Sequence, residues 1–174
     1  MTSPSPLAQA LSRYGRYHRD RRNVATHALG IPLIVLAMEL LLSRPAWAFA
    51  HFAFTPAVIA SVAATFYYLK LDRMLGAVLG LSLLLAAKAG MEVAQAIDTP
   101  TWLAASAGLF AVGWAFQFLG HYYEGRKPAF VDDMRSLLIG PLFVLVELVL
   151  ALGLRADLKP AMQGDPAPAP APER

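Results

Sequence analysis

The chain has 174 residues, no cysteine, 57% hydrophobic residues, and 15 Lys and Arg against 12 Asp and Glu. Its mean hydropathy is +0.48 and only 16% of its residues are charged, against about a quarter in a soluble domain, so it reads as one compact integral membrane domain. The absence of cysteine excludes disulfides, thiolate metal ligands, iron–sulfur clusters and a cysteine nucleophile; the sequence also carries no dinucleotide fingerprint.

In chain order, residues 1–12 contain Pro4 and Pro6 but no apolar run, which predicts a flexible lead-in rather than a secretory signal. Arg13, Arg16, Arg19, Arg21 and Arg22 then crowd beside the first hydrophobic segment, as a positive-inside anchor does, and not as a nucleic-acid site. Five hydrophobic segments follow, over residues 27–42, 47–69, 74–97, 102–120 and 137–154. The middle three approach or exceed the ~20 residues that cross a ~30 Å hydrocarbon core. The first is short and contains Pro32, so it is a tilted span, a re-entrant segment or a span that begins before His27.

Breakers stand at Ser43-Arg44-Pro45, Lys70-Leu71-Asp72-Arg73 and Asp98-Thr99-Pro100, and between Gly125 and Pro128, while Pro56 and Pro141 predict kinks or helix starts. The predicted fold is all-α, a multi-span transmembrane helical bundle. It occupies residues 13–159, after the lead-in and before a disordered Pro/Ala-rich tail at 160–174. On a five-span count the basic residues alternate, placing the N-terminus, the Lys70/Arg73 loop and the Arg126/Lys127/Arg135 loop on the cytoplasmic side. Arg155, Lys159 and Arg174 run against that count.

Two polar motifs interrupt the apolar chain: Tyr14-x2-Tyr17-His18-x4-Asn23-x3-His27-x2-Gly30-x-Pro32, and Gln117-x2-Gly120-His121-x2-Glu124-Gly125-Arg126-Lys127-Pro128-Ala129. They hold three of the four histidines, and sidedness puts both at one membrane face. On a helix Gln117, His121 and Glu124 share a face, about 40° and 60° apart. Asn23 and His27 repeat the amide-then-histidine spacing. His18 lies about 180° from His27 on an unbroken helix, so the two meet at one metal only if the helix bends or breaks between them. His51, in an aromatic setting, reads as a hydrogen-bonded bundle residue, and Lys88 with Glu92 as a self-neutralising i,i+4 pair. A thiol-free set of imidazoles and a carboxylate suits Fe(II), Zn(II) or Mn(II). Asn23 and Gln117 are candidate partners that fix imidazole tautomers, Arg126 and Lys127 candidate receivers of a substrate carboxylate, and Tyr14 and Tyr17 either interfacial aromatics or substrate contacts.

The combination YxxYHxxxxNxxxHxxGxP with QFxGHxxEGRKPA resembles the Mpo1-like (DUF962) family of small multi-span membrane proteins over residues 14–129. The resemblance implies an Fe(II)-dependent dioxygenase of fatty-acid α-oxidation, which uses O2 to shorten a long-chain 2-hydroxy fatty acid by one carbon. His18, His27 and His121 correspond to the family's motif histidines. On this reading Glu124 is a fourth metal ligand or a base, the substrate lies in membrane lipid, and the cofactor is Fe2+. The Arg-rich start and Pro/Ala tail suggest a bacterial inner membrane with the site on the cytoplasmic face, or the endoplasmic reticulum for a eukaryotic chain. The competing readings are a zinc hydrolase with Glu124 as general base, and a small transporter or scaffold built on Lys88 and Glu92. Oligomeric state is not legible.

Overall fold

The computed structural model describes residues 4–49 and 52–164. Its helices are α1 (Pro6–Gly15), α2 (Arg21–Leu41), α3 (Pro56–Leu71), α4 (Arg73–Ala96), α5 (Thr99–Glu124), α6 (Ser136–Ala151) and α7 (Lys159–Met162). A two-stranded antiparallel hairpin, β1 (Trp47–Phe49) with β2 (Phe52–Phe54), joins α2 to α3. Short side chains fix the helix starts by accepting backbone N–H groups that have no partner within the helix: Ser5 for α1, Asp20 for α2, Thr55 for α3, Asp72 for α4 and Asp98 for α5. Gly125, at φ 66, ends α5 in the left-handed conformation that a residue with a Cβ adopts only at a cost.

Helices α2 to α5 run up and down between two ends. At one, which we call the near end, the start of α2 meets the end of α5. At the far end Arg44 donates to the carbonyls of Ala94 and Ile97 and to Thr99, and the Trp102 indole N–H donates to the Leu40 carbonyl at 2.8 Å. Three of these helices, α2, α4 and α5, are long and apolar enough to cross a membrane, while α3 and α6 are apolar but have 16 residues each. The packing suits a lipid-embedded bundle: small residues such as Gly76, Gly80, Gly90, Gly113 and Gly120 face inward, and Phe66, Leu81, Leu85, Val112 and Phe118 face outward. In water such a surface would be one large apolar patch; in lipid, close backbone approach through small residues is what holds helices together.

The first hydrophobic segment is not re-entrant. It is the later part of a continuous 21-residue α2 that begins at Arg21 and runs through Pro32. The segment 47–69 is not one helix, because the hairpin occupies its beginning and Pro56 starts α3. His51 lies outside the described residues, as does the tail from 165 on. Residues 6–12, expected to be flexible, form most of α1, whose Leu7 and Leu11 are buried against the core. Two such side chains contribute about 1.5–3 kcal/mol each. Residues 160–164, assigned to the disordered tail, pack on α1: Ala161 and Met162 are buried, and the Ser12 hydroxyl donates to the Gly164 carbonyl at 2.7 Å.

The segment expected to be a fifth span begins and ends at the near end. Before α6, Asp133 pairs with Arg13 at 3.3 Å; within its first turn Leu138 accepts from the Tyr68 hydroxyl at 2.8 Å; after it, Arg155 pairs with Asp72 at the α3–α4 joint at 2.9 Å. Arg155 and Lys159 therefore join the near-end basic residues, and among the described residues the far half carries only Arg44 and Lys88, the latter paired with Glu92. In this cysteine-free chain, single cysteines at positions 16, 127 and 159 are expected to react with an impermeant thiol reagent from one side, and one at 44 from the other. Labelling of 159 from the side opposite 16 would restore the five-span arrangement.

Candidate metal centre

Three near-end segments converge on one point. α1 stops at Gly15, the chain turns, and Asp20 caps α2; this break frees His18 from the helical phase that would hold it opposite His27. His27 sits two turns into α2, and His121 lies in the last turn of α5. Glycines let α2 and α5 touch here. A Cβ on Gly120 would run into Thr26 Oγ1, Asn23 Oδ1 and His27 Nδ1, and one on Gly30 into the Gln117 amide and the Gly113 carbonyl.

The three imidazoles are buried, with ring centroids 4.5 Å (His18–His27), 5.2 Å (His18–His121) and 4.9 Å (His27–His121) apart. Each offers a ring nitrogen within 4.8 Å of the others. His18 Nδ1 lies 2.8 Å from the Tyr14 carbonyl and His27 Nδ1 3.0 Å from the Asn23 carbonyl. A carbonyl only accepts, so both Nδ1 atoms carry the proton and both Nε2 atoms present lone pairs. His18 Nε2 is buried without a partner, as is His121 Nδ1. The Tyr14 ring stacks on His18 at 4.0 Å and 6°, and Phe143 packs against both. Burial, opposed by the Tyr14 carbonyl and aided by His121, lowers the His18 pKa to about 4, so the ring is neutral and able to ligate across the physiological range. Three buried imidazoles, two of them with an orphaned ring nitrogen, fit a divalent transition metal.

The imidazoles close one end of an apolar cavity of about 510 Å³, which descends between α2, α5 and α6 past Ile31, Val35, Met38, Phe110, Trp114 and Leu138. Met38, Phe110 and Leu138 are also exposed on the outer surface, so this end opens sideways onto the apolar outer face of the bundle. Met38 lies eleven residues along α2 from His27, and Phe110 eleven residues along α5 from His121, which makes the groove roughly 16 Å deep at ~1.5 Å per residue.

The remaining expected site residues are distributed differently. Glu124 is not part of the histidine group: its carboxylate accepts from the backbone N–H of Arg19 (3.1 Å) and Asp20 (2.9 Å) and from Asn23 Nδ2 (3.0 Å). It thus caps the entry to α2 and, through Asn23, fixes the turn that holds His27. Asn23 holds His27 by its backbone carbonyl, and its side chain binds Glu124 and the Tyr17 carbonyl. Gln117 hydrogen-bonds no imidazole; its amide is buried in the cavity wall with Nε2 unpartnered. Tyr14 lines the cavity, whereas the Tyr17 hydroxyl donates to Asp132 at 2.7 Å, Lys127 pairs with Asp132 at 2.5 Å and Arg126 donates to the Arg16 carbonyl at 3.2 Å. These last three form an exposed clasp between the α1–α2 turn and the loop after α5, and none lines the cavity.

Glu124→Ala removes charge-assisted bonds to three donors, each worth about 1.5–3 kcal/mol when made to a charged group. It is expected to lower thermal stability and weaken metal binding, yet to reach the same metal stoichiometry at saturating metal. A stoichiometry that stays at zero at any metal concentration would make Glu124 a ligand.

These features define a class: a helical protein with three helices long and apolar enough to cross a membrane and a buried three-histidine group at the head of an apolar groove open on its outer surface. The chain belongs to the Mpo1-like family, whose model, described as 2-hydroxy-palmitic acid dioxygenase Mpo1-like, matches residues 5–152. It is 30% identical over 161 residues to the 2-hydroxy-palmitic acid dioxygenase MPO1 of Saccharomyces cerevisiae, covering 91% of this chain and 88% of that protein. No solved structure matches the chain.

Proposed function

We propose that this protein is a membrane-embedded, Fe(II)-dependent dioxygenase that converts a long-chain 2-hydroxy fatty acid, O2 and no further cosubstrate into the acid one carbon shorter, CO2 and water. The observation that carries the reading is the convergence of three buried imidazoles at the head of an apolar groove open to lipid; the printed name of the yeast relative supplies the substrate class. His18, His27 and His121 would hold the metal. Fe(II), when bound, supplies the electron transfer to O2 that no side chain here can perform. The reaction RCH(OH)COOH + O2 → RCOOH + CO2 + H2O balances, and the substrate itself provides the four electrons O2 requires.

The chain's own residues prepare the site. The Tyr14 and Asn23 carbonyls hold the His18 and His27 rings in one tautomer and orientation. Phe143 and the Tyr14 ring keep water from His18, and the groove takes the acyl chain. At ~1.25 Å per methylene and ~1.5 Å per helical residue, a roughly 16 Å groove accommodates about thirteen methylenes below the reacting carbons. The near end, with its concentration of Arg and Lys, faces the cytoplasm by the positive-inside rule, and the substrate reaches the site from the bilayer.

The hydrolase reading requires a free general base, but the Glu124 carboxylate is occupied at the start of α2. The transporter reading rests on Lys88 and Glu92, which pair with each other on the outer face of α4 with side chains 65% and 62% exposed, away from any passage. The test is product analysis. Protein loaded with Fe(II) is expected to convert 2-hydroxypalmitate in air to the C15 acid, and zinc-loaded protein to leave it unchanged, because zinc has no redox chemistry. Turnover with zinc under anaerobic conditions, or release of an intact acyl chain from an ester, would move the assignment to a hydrolase.

A further inference from the structure

Among the described residues lining the cavity there is no Lys or Arg. A bound 2-hydroxy acid therefore meets no side-chain cation, and its oxygens depend on the metal and on neutral donors. Gln117 lies one turn before His121 on α5, is 6% exposed and lines the cavity, and its Nε2, buried against Gly30, has no hydrogen-bond partner. Leaving a buried donor unpaired costs about 1–3 kcal/mol, and here the cost is built in. Gly30 on the facing α2 leaves the space the amide occupies, since a Cβ there would collide with Gln117 Nε2. The amide is thus seated between two helices, beside the imidazoles, with an unused donor.

We propose that Gln117 is the substrate-positioning residue that recognises the C2 hydroxyl, so that the site distinguishes a 2-hydroxy fatty acid from the plain fatty acid of equal length. A carboxylate only accepts hydrogen bonds and carries a charge that belongs beside the metal. A hydroxyl both donates and accepts, as a primary amide does, and it sits one carbon from the carboxylate, at the imidazole end of the groove. A site built around a buried hydrogen-bonding group rejects the analogue lacking its partner, because the group is then left unpaired. Trp114, one turn further down the same helix, also lines the cavity and has a second buried, unpartnered N–H, but at that depth the residue faces the acyl chain.

This inference rests on the site being a 2-hydroxy-acid site, so the test reads binding rather than turnover. Metal-loaded protein in micelles without O2 is titrated with 2-hydroxypalmitate and with palmitate. The wild type is expected to prefer the hydroxy acid, and Gln117→Met, of similar shape, to lower that preference about tenfold or more. Palmitate affinity and metal stoichiometry, the latter reporting that the variant folds, are expected to stay within about threefold of the wild type. Gln117→Asn, whose shorter amide still carries a donor, is expected to retain part of the preference. An unchanged preference in Gln117→Met, or its loss in Trp114→Phe instead, would overturn the role of Gln117 while leaving the substrate class intact. Absence of any preference in the wild type would overturn both.

Discussion

Replacing any one of His18, His27 and His121 with Ala is expected to abolish stoichiometric metal binding at micromolar metal and, with it, turnover. The three rings lie within 5.2 Å of one another by centroid and no carboxylate belongs to the group, so a site missing one imidazole has two protein ligands left. Disturbing only a partner hydrogen-bonded to a ligand already costs about 10–100-fold in affinity; losing the ligand itself costs more. His18→Ala should carry an added structural penalty, because its ring fills the space between Tyr14 and Phe143. Metal analysis after gel filtration, with helicity measured alongside, checks the prediction. Retention of one metal per chain by any of the three variants would remove that histidine from the ligand set.

The second large effect is expected from a single methyl group added to a residue that is not itself a ligand. Gly120→Ala places a Cβ against Thr26 Oγ1, Asn23 Oδ1 and His27 Nδ1, and α2 and α5 must separate to admit it. Overpacking of this kind costs about 1–3 kcal/mol. Its larger consequence is geometric, because His27 and His121 are carried on the two helices being forced apart. Metal binding is expected to fall by at least an order of magnitude with all three histidines present. Gly108→Ala on the same helix is the control: a Cβ there meets nothing within 4 Å, and helix propensity alone favours the change by up to ~1 kcal/mol. Equal effects of the two substitutions would show that close helix approach is not what assembles the site.

Much of this arrangement is legible in the residues. The segments around α4 and α5, the caps at Asp72 and Asp98, and the placing of both histidine motifs at one end follow from hydropathy, breakers and basic-residue alternation. α1 was legible as well: Leu7, Leu11 and Tyr14 recur at helical spacing, and Pro6 reads as a breaker only until it is placed at the first helical position, where its missing N–H costs nothing. α6 shows a limit of hydropathy, since an apolar helix of 16 residues has the same composition whether lipid or protein covers it; Arg155 and Lys159 were the signal that the chain had returned to its starting side. Glu124 shows another. Its spacing from His121 suits a ligand, but the unpaired N–H groups of Arg19 and Asp20, more than a hundred residues earlier, claim the carboxylate, and no local pattern reveals them. Gln117 and His121 lie on one face as spacing predicts, yet only the packing of the helices shows the amide in the groove wall, against Gly30 of α2.

The most direct test of the central claim is the stoichiometry of turnover by Fe(II)-loaded protein acting on 2-hydroxypalmitate labelled at C1. The account predicts one O2 consumed and one labelled CO2 released for each C15 acid formed, with neither 2-oxoglutarate nor a stoichiometric reductant added, and none of the three when His18, His27 or His121 is replaced. Release of labelled CO2 without O2 uptake, or shortening that proceeds unchanged in the His27→Ala protein, would contradict it.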